Sequence, residues 1–180
     1  MTNQNLAASV AAFAAARRFS LLTLQRWQRL ADDDQRALLD LGERLRLGEN
    51  QFRDFLDWSE EIALRERCSI ASVWQRDGIV EVLARDLGRN DMIAVLKNVL
   101  RTLRFPQLAA AEEQVALLVK QLGLPRDAQL QVPLNLEGDE LRLELRGRSA
   151  AALRDGVAAL QRILTQPQLD EIFRILEEAP

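Results

Sequence analysis

Asp54, Asp57 and Glu61 are spaced i, i+3 and i+7, with Glu60 adjacent, so on a helix they share one side. Such a stripe could hold Mg²⁺ through oxygen ligands and activate water for an all-helical phosphohydrolase, a chemistry that needs no imidazole. It usually needs a second carboxylate pair facing the first, and Glu112 and Glu113 are the nearest candidates in sequence. Arg53 and Arg65 can instead take the stripe up in ordinary surface ion pairs. No metal and no cofactor is therefore expected, and Asp54, Asp57 and Glu61 are named as the groups that would ligate one.

Two basic clusters could meet phosphate. Lys97, Arg101 and Arg104 fall at i, i+4 and i+7 on one helix face. Arg142, Arg146 and Arg148, with Arg154 nearby, alternate along the outward side of a strand pattern. The formal net charge of −3 gives no global attraction to a polyanion, so nucleic acid is a possible partner only through these patches. Helix-turn-helix registers centred on Gly48 or Gly78 fail. The first puts Asp54 at an apolar contact, and the second puts Trp74 where two helices must approach.

Counts remove most other chemistry. With no His there is no imidazole base, no nucleophile–His dyad and no imidazole metal site. A single cysteine, Cys68, cannot close an internal disulfide or build a thiolate metal site, and it fits a reducing compartment. Arginines outnumber lysines 22 to 2, which reads as coding bias rather than phosphate recognition. There is no Gly-rich phosphate loop, nucleophile elbow or dinucleotide fingerprint. The apolar stretch Leu6–Ala16 is too short to span a bilayer and lacks the basic start of a signal peptide, so a cytoplasmic location is expected and no membrane partner.

The elements that must position these groups are mostly helical: 48% of residues are hydrophobic and only 8 are Gly and 5 Pro. Apolar spacing predicts a helix over 3–18 anchored by Phe13 and packed on the next helix, with a detachable segment that docks on a partner as the alternative. Caps at Ser20, Asn50, Ser69 and Asn90, an acidic start at Asp32–Asp34 and stops at Gly48 and Gly88 divide the rest of residues 1–105 into a multi-helix array. Phe105-Pro106 marks the boundary of a second module, 106–180.

That module opens with a helix over 107–122. Gln129–Leu136 then alternates strictly, with Leu130, Val132, Leu134 and Leu136 on one face, and Leu141, Leu143 and Leu145 resume the pattern after Glu137-Gly138-Asp139. This is a β-hairpin signature. Ser149 caps a helix carrying Leu153, Val157, Leu160 and Leu164, and a last helix follows Pro167. The fold class is thus mainly α, an N-terminal helical array followed by a small α-β-β-α-α module with one antiparallel hairpin. Pro133 blunts the first strand, but the second, Glu140–Gly147, has an unprotected edge that could pair with its copy in a homodimer. Leu141, Leu143, Leu145, Arg146, Leu153 and Val157 are the residues expected to carry self-association. The leading functional reading is a non-catalytic cytoplasmic scaffold or adaptor that binds a protein partner and itself. A nucleic-acid-associated accessory factor stands second, and a carboxylate–Mg²⁺ phosphohydrolase third.

Overall fold

Ser20, Ser69 and Ser149 each stand one residue ahead of a helix, and each side chain accepts from the backbone N–H three residues on. A computed structural model describes residues 3–178. Over them the chain is mainly α, with ten helices and one two-stranded antiparallel hairpin. Its contacts divide into two compact units, Met1–Arg104 and Phe105–Pro180. Among the described residues no helix is long and apolar enough to cross a membrane.

The first unit holds α1 (Asn3–Ala16), α2 (Leu21–Gln28), α3 (Asp32–Leu45), α4 (Glu49–Glu66), α5 (Ile70–Trp74), α6 (Asp77–Ala84) and α7 (Arg89–Arg104). Its core is built on aromatics contributed by different elements. Trp27 and Phe52 lie 4.5 Å apart, Phe19 sits 5.0 Å from Phe52, and Phe13 meets Trp27 edge-on at 6.0 Å. Leu6, Val10 and Ala14 are all buried, so α1 is a wall of the core rather than a detachable segment. Gly42 makes this possible: a Cβ there would stand 3.0 Å from the Phe13 ring. The alanine-rich composition serves close helix approach within the fold.

Several helix ends differ from their sequence signals. α4 starts at Glu49 behind Gly48, so Asn50 lies inside the helix and Gly48 begins an element rather than ending one. The stop of α3 is Arg46, which adopts the left-handed conformation. α7 starts at Arg89, which places Asn90 within it. α6 ends at Ala84, ahead of the stop at Gly88. Asp32–Asp34 do form the first turn of α3, where its exposed amides favour carboxylates.

The second unit holds α8 (Pro106–Gln121), β1 (Ala128–Gln131), β2 (Arg142–Leu145), α9 (Ala150–Ile163) and α10 (Pro167–Glu178). β1 and β2 pair with Ala128 opposite Leu145 and Leu130 opposite Leu143. The ladder is extended by Arg146, whose N–H donates to the Asp127 carbonyl at 2.8 Å. The strict alternation through Leu136 stops at Gln131. Pro133 offers no N–H to a ladder, and the chain then makes one 3₁₀ turn over Leu134–Leu136 with Asn135 and Leu136 at φ 56°. Leu134 consequently leaves the inner face and is 83% exposed, while Leu136 is buried. The hairpin therefore closes through a long connection, residues 132–141, not a tight Gly turn. α9 crosses β2 at close range because Gly156 carries no side chain: a Cβ there would lie 2.7 Å from Leu145.

Candidate interaction surface

The carboxylate stripe on α4 meets Lys97 and Arg104 of α7. Lys97 Nζ donates to Asp54 at 2.6 Å, and Arg104 pairs with Glu61. Arg26, from α2, reaches Asp57 and Glu60 on the same side of α4. Lys97 and Arg104 also lie over the Trp58 ring, at 5.6 and 5.1 Å from its centroid. The partners of the stripe are thus Arg26, Lys97 and Arg104, not Arg53 and Arg65. Arg65 turns to Glu66 and to the carbonyls of Leu103 and Arg104 at the end of α7. Groups whose spacing pointed separately to metal and to phosphate form one ladder of opposite charges. Among the described residues no group of three or more Asp, Glu or Cys side chains is arranged to hold a metal ion.

Arginine has a second structural use that composition does not reveal. Arg89 Nε donates to the Leu45 carbonyl at 2.7 Å, and Arg44 reaches the carbonyl of Leu83. With Arg65 they satisfy carbonyls left without partners at or near the ends of α3, α6 and α7. An open groove of about 640 Å³ runs between α3 and α5, where Asp33, Asp34 and Asp40 alternate with Arg36 and Arg44 so that neither sign dominates. Asp34 is already engaged there, accepting from the Ala71 N–H at 2.8 Å.

Both units leave some apolar side chains exposed, Leu21, Leu22 and Leu64 in the first, and in the second they gather on α9 and α10. α9 turns Leu160 and Ile163 inward, but Leu153, Val157 and Leu164 are 40%, 48% and 56% exposed. Phe173 on α10 is 37% exposed. Leu164 and Phe173 border an apolar recess of about 110 Å³, whose other walls include Leu130, Leu141 and Leu143 of the hairpin. Those hairpin leucines, with Leu145, are only partly buried. At the other end of α9, Leu153 packs onto Gly147, where a Cβ would stand 2.6 Å from its Cγ.

Beside this surface β2 has an open edge. The Arg146 N–H points toward β1, so by the alternation of an antiparallel ladder those of Glu144 and Arg142 do too. The N–H and C=O groups of Leu143 and Leu145 point the other way, and among the described residues no backbone bond reaches them. On the solvent face Arg146 donates to Glu144 at 2.8 Å and holds that carboxyl below the usual carboxylate range, with Arg142 adding to the effect. Five of the six residues expected from sequence to carry self-association therefore lie on or against β2: Leu141, Leu143, Leu145, Arg146 and Leu153. Val157 sits one turn further along α9. Exposed Leu164 and Phe173 border the same surface and lie on the apolar stripes that mark their helices. No family model, curated protein or solved structure matches this chain.

Proposed function

We propose that the chain is a non-catalytic interaction protein that self-associates through its Phe105–Pro180 unit. The observation that carries this reading is the set of part-exposed Leu153, Val157, Leu164 and Phe173 beside a strand whose outer edge makes no backbone bond among the described residues. Apolar surface of this kind, next to unpaired backbone groups, is the usual mark of an association site. The pairing of Lys97 with Asp54, and of Arg104 with Glu61, favours it over a phosphate-binding role. The same pairs, with Arg26 on Asp57, favour it over metal-dependent hydrolysis.

Sedimentation of the full chain over a range of concentrations tests the proposal. A monomer–dimer equilibrium is expected, weakened roughly tenfold or more in Val157→Asp, because a carboxylate would be desolvated in the contact. A chain that stays monomeric up to its solubility limit would end the reading.

A further inference from the structure

Resting on that reading, we infer that the partner is a second copy of this chain. It docks edge to edge on β2 in the one antiparallel register centred on Leu143, so that Arg142 of each copy faces Glu144 of the other.

The backbone sets the first condition. The outward N–H and C=O groups belong to Leu143 and Leu145, and the same parity extends to Leu141. A two-fold axis through the edge makes the new strand pair antiparallel. In such a pair, directly opposed residues lie on the same face of the sheet, so leucines must meet leucines and charged residues must meet charged residues. Only centres on a single residue satisfy this, and they leave few registers to consider.

Charge decides among them. Along the solvent face the strand and its flanks read Glu140, Arg142, Glu144, Arg146 and Arg148. Centred on Arg142, the pairing sets Arg142 against its own copy and Glu140 against Glu144. Centred on Glu144, it sets Glu144 against its copy and Arg142 against Arg146. Centred on Leu145, it sets Arg142 against Arg148 and places Leu143 opposite Gly147, a position already filled by the Leu153 side chain. Centred on Leu141, it runs Leu143 and Glu144 out against Asp139 and Gly138, in the loop beyond the strand. Centred on Leu143, four of the five outward charges meet an opposite: Arg142 faces Glu144 and Glu140 faces Arg146, while Arg148 falls opposite Gly138, beyond the strand. On the inner face Leu143 meets its copy, and Leu141 meets Leu145. Like charges directly opposed destabilise a sheet and opposite ones support it, so this register is favoured: it opposes no like charges and keeps Leu141–Leu145 paired within the strand and its first flanking residue.

The product is a four-stranded sheet in the order β1-β2-β2-β1. Both copies of α9 lie on its leucine-bearing face, where Leu153 and Val157 would lose their exposure. Glu144, held by Arg146 within its own chain, gains Arg142 of the other copy on its second side.

Two single-cysteine variants test the register in the full chain, both carrying Cys68→Ser: Arg142→Cys and Glu144→Cys. Under mild oxidation neither should form a disulfide dimer alone, whereas an equal mixture should. Positions 142 and 144 of opposite copies would be a non-hydrogen-bonded pair with Cα atoms about 4.5 Å apart, within disulfide reach. Self-linking of Arg142→Cys would show the register centred on Arg142, and self-linking of Glu144→Cys the one centred on Glu144; either overturns the inference. So does a wild-type dimer in sedimentation combined with no cross-link in the mixture, which leaves self-association standing. A monomeric wild type removes both. As an independent check, Arg142→Glu should weaken the dimer about tenfold, and adding Glu144→Arg to it should recover most of the loss.

Discussion

Trp27 and Trp74 are both buried, but only Trp27 has an acceptor for its indole N–H, the Gln35 carbonyl at 3.2 Å. Trp74 Nε1 has none among the described residues, and its ring is held by packing edge-on against Phe55 at 5.6 Å. Replacing each with Phe removes similar apolar area, yet the polar consequences are opposite. Trp27→Phe breaks a buried hydrogen bond, whereas Trp74→Phe removes a buried donor that was never satisfied. Urea denaturation of the two variants should therefore find Trp27→Phe the more costly by about 1–3 kcal/mol. Equal midpoint shifts would mean that the Trp74 donor is satisfied in solution. At this scale the sequence is legible for what a residue can do and silent about its neighbours. Asp54 and Lys97 each advertise a charge, but 43 positions separate them, and only the packing of α4 on α7 reveals that they cancel.

Helix ends show how one element completes another. Glu49, in the first turn of α4, accepts from the Ser20 hydroxyl and the Thr23 hydroxyl, each at 2.6 Å, and from the Ser20 N–H at 3.0 Å. It therefore caps the start of α2 from outside that helix, beyond the Ser20 side-chain cap that the sequence announces. These bonds, the Ser20 hydroxyl first, hold the Glu49 carboxyl below its ordinary range. A carboxylate with a depressed folded-state pKa contributes stability above its unfolded value, and that contribution is lost as pH falls through the folded one. Glu49→Gln should thus be less stable than wild type near neutral pH. The gap should close as pH drops through and below the usual carboxylate range, as followed by urea midpoints at a series of pH values. A gap independent of pH would assign the contribution to the side chain's shape instead of its charge. The hairpin teaches the same lesson from the other side. The alternation of Gln129–Leu136 is correct as far as Gln131, after which Pro133 and the left-handed Asn135 and Leu136 convert strand pattern into turn.

Across the whole molecule the two units are stabilised in different ways. Met1–Arg104 buries a full set of large side chains, Trp27, Phe52, Phe55 and Leu96 among them at 0% exposure. Phe105–Pro180 has a thinner core and a two-stranded sheet, a structure that is marginal in water without further cover. Association supplies that cover in the proposed dimer, so the stability of the second unit should depend on protein concentration. Hydrogen exchange of the full chain offers the measurement. The amides of Leu143 and Leu145 should become more protected as concentration rises, while those of Leu56 and Leu96 in the first unit should not change. Leu143 and Leu145 amides that exchange at the same rate at every concentration would count against edge pairing.

What the sequence determined by itself was local: helices at 3.6-residue spacing, capping serines, the acidic opening of α3, the inward leucines of β2 and the absence of any imidazole. These follow from propensity, periodicity and composition, which act over a few residues. Tertiary structure alone decided which charges meet, which arginines close which helices, and which apolar stripes remain half uncovered. Those outcomes depend on contacts between residues tens of positions apart, whose distances are set by how the helices pack and not by anything in their own segments.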